Sequence, residues 1–129
     1  MDKKNITKPT ESELEILQVL WQNGPCTVRF VNDELNKKRE VGYTTTLKLM
    51  QLMSGKNIVT RNTESRTHIY AANITESDTQ KQLLKKFVDA TFRGSAMNLV
   101  LQALGNHDTS SEELEEIKAL IDKIEKDKK

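Results

Sequence analysis

The chain has 129 residues, 36% hydrophobic and 30% charged, with 20 lysines and arginines against 19 carboxylates. This length gives one domain, or one small domain with an oligomerisation appendage, and no apolar run approaches the roughly 18 residues that a membrane span requires. A single cysteine, Cys26, excludes an internal disulfide and a cysteine-rich metal site, and MDKKNITKPT at the start has no apolar stretch typical of a secretory signal. A cytoplasmic location without membrane insertion is expected.

Residues 1–9 are polar and expected to fray. Thr10-Glu11-Ser12-Glu13 reads as a capping box, in which the Thr10 hydroxyl accepts from the third helical amide and Glu13 reaches back. Leu14, Leu17, Val19, Leu20 and Trp21 then form an apolar stripe at helical spacing, with Trp21 expected in the core. Asn23-Gly24-Pro25 ends this helix. Thr27 can cap a second helix from Val28 to about Asn36, with Val28, Val31 and Leu35 inward. Gly42 interrupts the chain, and Tyr43 to about Gly55 reads as a third helix, followed by Asn57 where left-handed backbone is tolerated. The period then changes: Ile58–Arg61 and Thr67–Ala71 are short β-prone runs flanking a polar turn, Asn62–Arg66. Three helices followed by a hairpin are the order of a winged helix-turn-helix, so residues 1–74 are expected to form one such domain.

Residues 75–129 read differently. A second capping signal, Thr75-Glu76-Ser77-Asp78, opens a helix whose apolar face is Leu83, Leu84, Phe87, Val88 and Phe92. After Gly94-Ser95, Ala96, Met97, Val100, Leu101 and Leu104 form a shorter helix, closed by Gly105-Asn106. Ser110 or Ser111 caps a last helix with Leu114, Ile117, Leu120, Ile121 and Ile124 on one side and glutamates and lysines on the other. A segment this short cannot bury three apolar faces by itself. A two-fold homodimer is the simplest way to cover them, with Leu84, Phe87, Val88, Val100, Leu101, Leu104, Leu114, Ile117 and Ile121 as the expected contact residues. The fold class is therefore mainly α with a small β-hairpin: a winged helix-turn-helix followed by a C-terminal helical dimerisation domain.

The near-zero net charge conceals a pattern. Residues 11–35 sum to −4, residues 36–66 to +5 and residues 107–129 to −3. A basic middle between acidic flanks fits a polyanion-binding patch. On the third helix Thr46, Leu49, Met50 and Met53 should point inward, leaving Thr44, Leu47, Lys48 and Gln51 outward and Thr45 at the edge. Consecutive threonines are poor helix formers, but their hydroxyls and methyls suit base edges and phosphates, and Lys48 can reach a phosphate or a guanine. Tyr43, Thr44, Thr45 and Lys48 thus become candidate DNA contacts at the start of a recognition helix. Arg61 and Arg66 flank the wing tip, where arginines lie along the backbone or in a minor groove. Lys37-Lys38-Arg39 is a weaker phosphate candidate, and His68 is more readily an ordinary strand residue. Cys26 reads as a small half-buried residue, and His107 lies in a polar loop with no ligand set around it. No phosphate-cradling glycine loop, nucleophile elbow or metal-spaced cluster is present, so neither catalysis nor a cofactor is expected. The alternative to DNA binding is a winged helix that presents its third helix, with an exposed Leu47, to a protein partner.

Over residues 8–125 the sequence resembles the penicillinase-repressor group of winged-helix repressors (BlaI, MecI and CopY). The resemblance lies in Thr10-Glu11-Ser12-Glu13-Leu14-Glu15-Ile16-Leu17, Leu20-Trp21, Gly24-Pro25, Thr27-Val28, Gly42-Tyr43-Thr44-Thr45, Ile58-Val59-Thr60-Arg61 and Arg66-Thr67-His68-Ile69-Tyr70. It continues through Leu84, Phe87-Val88-Asp89, Phe92, Gly94-Ser95, Leu99-Val100-Leu101 and Glu112-Glu113-Leu114. It implies a homodimeric repressor on double-stranded operator DNA with a TACA…TGTA dyad. By that resemblance Thr44, Thr45 and Lys48 take recognition-helix positions, and Arg61 and Arg66 take wing positions. It also implies β-lactam-resistance-type target genes and a membrane-bound sensor protease as a partner. Three features depart from the group. Gln102-Ala103 follows Leu99-Val100-Leu101 where classic β-lactam members carry an Asn-Phe bond; Gln51-Leu52 replaces a basic pair; and copper-responsive members end in a Cys-x-Cys arrangement, whereas the only cysteine here is Cys26.

Overall fold

Helix α1 (Glu11–Asn23) begins at the capping box read from the sequence: Glu13 N–H donates to Thr10 Oγ1 and Thr10 N–H donates back to Glu13 Oε1. A computed structural model describes residues 8–64, 66–106 and 108–128, so His107 and Ser65 lie outside the described residues, as does most of the polar N-terminus. Gly24, at φ 81°, ends α1 and donates its amide to Leu20 O. Strand β1 (Cys26–Thr27) follows, and Thr27 Oγ1 accepts from Phe30 N–H to cap α2 (Val28–Leu35). Helix α3 (Tyr43–Gly55) ends where Asn57, at φ 65°, donates to Ser54 O and Ile58 N–H to Met53 O. This closure satisfies carbonyls that the helix end would otherwise leave open.

Strands β2 (Val59–Asn62) and β3 (Ile69–Ala72) pair antiparallel, with Arg61 opposite Tyr70 and Asn62 opposite Ile69. Two β-prone runs were legible in the sequence, but β1 was not. It pairs antiparallel with the opposite edge of β3, Cys26 against Tyr70 and Thr27 against Ile69, so the sheet has three strands in the order β1-β3-β2. Two residues are too few to show an alternating pattern. The structure is a winged helix, as expected.

The chain divides into two compact units, Met1–Leu83 and Leu84–Lys129, with the boundary inside α4 (Glu76–Thr91). The core of the first unit is built from Ile16, Leu17 and Leu20 of α1, Val28, Val31 and Leu35 of α2, Met50 and Met53 of α3, and Ile58, Val59 and Tyr70. Trp21 departs from expectation. It is half-buried beside this core and donates its indole N–H to Ile74 O at 3.0 Å. An indole tolerates burial only where its donor finds a partner, and the carbonyl just before α4 supplies it. Leu49 is likewise half-buried, while Ile16, Glu13 and Asn32, which no stripe predicted, are buried.

In the second unit α4 ends at a left-handed pair, Arg93 (φ 53°) and Gly94 (φ 82°). Ser95 Oγ accepts from Asn98 N–H at the start of α5 (Ala96–Asn106), which continues through Gly105 instead of stopping before it. Of the two serines, Ser110 caps α6 (Ser111–Asp127), in a full capping box with Glu113. No helix among the described residues is long and apolar enough to cross a membrane.

Candidate nucleic-acid interface

The outward face of α3 is held in place by an amide cluster that is buried at Asn32 and Thr46 and exposed at Asn36. Asn32 Nδ2 donates to Val41 O at 3.1 Å and to Thr46 Oγ1 at 2.8 Å. Asn36 Nδ2 donates to Val41 O and to Asn32 O, and Asn36 Oδ1 accepts from Val41 N–H. The turn between α2 and α3 is thus fixed by three side chains, one from inside the helix it precedes. No buried side-chain donor or acceptor among the described residues lacks a partner, so the cluster contributes rigidity without a desolvation penalty.

With Thr46, Met50 and Met53 buried, α3 exposes Tyr43, Thr44, Thr45, Lys48, Gln51 and Leu52. All four candidates on this helix are therefore accessible. Leu47 is not: it is half-buried against the core, so the exposed leucine on this helix is Leu52.

The basic residues of the middle segment divide into two sets. Lys37 Nζ lies 2.8 Å from Glu34 Oε2, Arg39 pairs with Glu15, and Lys56 Nζ lies 2.7 Å from Glu13 Oε2. The Arg39 hydrogen bond holds the Glu15 carboxyl below its usual range. Two of the three residues in Lys37-Lys38-Arg39 therefore already have carboxylate partners, which weakens that run as a phosphate contact. Lys48, Arg61 and Arg66 have no ion pair among the described residues.

Arg61 and Arg66 line a cleft of about 320 Å³ together with Thr27, Val28, Arg29, Tyr43, Leu47, Gln51, Thr67, His68 and Tyr70. The Arg29 guanidinium carbon stands 4.8 Å from the centre of the Tyr43 ring, a cation–π distance. The wing turn is shaped by Asn62, whose Oδ1 accepts from Glu64 N–H at 2.9 Å. The structure thus brings Tyr43 of the recognition helix and the two wing arginines to one cleft, and adds Arg29, which the sequence reading passed over. Arg29 stood in a segment of net negative charge, and only the fold carries it to the basic side.

Cys26 is buried, its Sγ donates to Gly24 O, and burial, with the Glu34 charge, pushes its thiol above the usual range. A thiol so placed is a poor nucleophile. No group of three metal-ligating side chains occurs among the described residues.

In the second unit, Leu84, Phe87, Val100, Leu101, Leu104, Leu114 and Ile121 are exposed in the single chain, Ile117 is half-buried, and Val88 is buried. Phe87 and Phe92 meet edge to face with ring centres 5.8 Å apart.

The model of a family described as penicillinase repressor matches residues 9–123. A penicillinase repressor of Bacillus licheniformis is 26% identical over 126 residues, covering 98% of each chain. The solved DNA-binding domain of the repressor BlaI is similar at a TM-score of 0.51 and 28% identity, over 60% of this chain and 93% of that one. Monomeric Bacillus licheniformis BlaI in complex with the blaP half-operator gives a TM-score of 0.50 at 27% identity, over 57% of this chain and 89% of that one.

Proposed function

We propose that this chain, which belongs to the penicillinase repressor family, is a transcriptional repressor whose winged helix binds operator DNA in front of β-lactam-resistance genes. The observation that carries this reading is the joint exposure of Thr44, Thr45 and Lys48 on α3 beside a cleft holding Arg61 and Arg66, on a fold shared with a repressor solved on its half-operator. A major-groove helix reads bases from its first turns, and in this chain those turns hold the threonines and Lys48.

The protein acts as a homodimer on a dyad, each copy supplying one winged helix, with the apolar faces of α4, α5 and α6 covered by the second copy. Linking two half-site contacts makes the second binding event intramolecular, so any agent that separates the copies, a sensor protease included, releases DNA. The role is binding without catalysis, in the cytoplasm.

Fluorescence anisotropy with a TACA…TGTA duplex and a scrambled duplex, at two salt concentrations, tests this. The dyad duplex should bind more tightly, and both complexes should weaken steeply with salt through counterion release. Lys48→Ala should cost roughly 1–3 kcal/mol on the dyad duplex and less on the scrambled one, as expected of a base contact. Binding that ignores both sequence and salt would reject the assignment.

A further inference from the structure

We infer that the cleft between the start of α2, the start of α3 and the wing is a seat for a backbone phosphate of the bound duplex, and that Arg29 is its main cationic ligand. The inference rests on the DNA-binding reading and assigns a role to a residue outside the recognition helix and the wing.

Arg29, Arg61, Arg66 and His68 all line the cleft, and no carboxylate is among its described lining residues. Elsewhere in this unit Lys37, Arg39 and Lys56 are each paired with a glutamate, while Lys48, outside the cleft, has no ion pair among the described residues. Arg29, Arg61 and Arg66 are not paired with a carboxylate among the described residues. Three arginines without a carboxylate partner among the residues of one small concavity make it electropositive, and a guanidinium fork matches phosphate oxygens with paired donors.

The Tyr43 ring gives Arg29 a defined place. With its guanidinium carbon over the ring at 4.8 Å from the centre, the side chain rests against the first residue of α3 and has fewer rotamers to lose on binding. The ring offers no carboxylate oxygen to take up an N–H donor, so the guanidinium keeps its donors for an anion. Base edges are read from α3 itself, where Thr44, Thr45 and Lys48 stand outside the cleft lining. A ligand in the cleft would therefore fix the position of the duplex against the protein and carry no sequence information.

The test is the salt dependence of the full-length protein on the dyad and scrambled duplexes. Arg29→Gln keeps most of the stem and loses the charge; Arg29→Lys keeps the charge. Arg29→Gln should make the slope of log affinity against log salt shallower by about 0.9 for each subunit bound. Its affinity should fall by the same factor on both duplexes. Arg29→Lys should keep the wild-type slope, and circular dichroism of both variants should match wild type. An unchanged slope for Arg29→Gln, or a loss confined to the dyad duplex, overturns the phosphate seat and leaves the repressor reading standing. Wild-type protein that binds neither duplex overturns both.

Discussion

Lys56 Nζ stands 2.7 Å from Glu13 Oε2, so the residue that caps the end of α3 is tied to the third residue of α1, 43 positions earlier. The same carboxylate closes the α1 capping box through the Thr10 amide. One buried charge thereby holds the start of the first helix and the end of the recognition helix together.

Burial works to raise the Glu13 carboxyl. The Lys56 hydrogen bond and the Thr10 amide, joined by the Lys56 charge, outweigh it and leave the group below its ordinary value of 4.5. A carboxyl depressed in the folded state contributes stability that is complete above its unfolded value and lost as pH falls through its folded value. The thermal midpoint of the wild type should therefore drop as pH falls below about 4.5. Glu13→Gln should lower stability at neutral pH by about 1–3 kcal/mol and flatten that acid limb. An acid limb as steep as in the wild type would show that another group drives it.

The amide cluster at the turn into α3 makes a second prediction. Asn32→Leu removes two donors and leaves the Thr46 hydroxyl buried without the 2.8 Å bond it accepts, at a cost of about 1–3 kcal/mol in urea unfolding. Adding Thr46→Val should recover part of that loss, because both ends of the bond then become apolar. Strictly additive losses would mean that the two side chains are not coupled.

The homodimer proposed through the exposed faces of the second unit supplies a third. Leu101 and Ile121 are 60% and 51% exposed in the single chain, so Leu101→Asp and Ile121→Asp should leave helix content unchanged. Sedimentation equilibrium should nevertheless show each variant shifted from dimer to monomer, with weaker binding to the full dyad and unaltered binding to a half-site. A variant that remains dimeric would place the interface elsewhere.

Local signals in this chain were strong enough to be read directly. Thr10, Thr27 and Ser110 cap the helices that their spacing announced, because capping depends on residues three apart. Asn57 took the left-handed position that its place after Gly55 implied. What escaped was non-local. β1 exists only because β3 lies beside it, and the burial of Glu13 needs Lys56 from the far end of α3. Trp21 was drawn toward the edge of the core by a carbonyl 53 residues away. The site shows the same division. The exposure of Thr44, Thr45 and Lys48 on α3 followed from helical period, whereas the joining of Arg29 to the arginines beside the wing turn, and the pairing of Lys37 and Arg39 with glutamates, needed the fold.

Thr27 belongs to two elements at once: its backbone pairs with Ile69 in the sheet, and its hydroxyl caps α2. Displacing the hairpin must therefore break its short pairing with β1, drag the first turn of α2, or break a cap worth about 1 kcal/mol. The hairpin and the first turn of α2 are thus joined through this one residue. In the proposed complex with DNA, a groove width that presses on the wing would bear through Thr27 on the start of α2, so duplex shape would have a route into affinity at base pairs that no side chain touches.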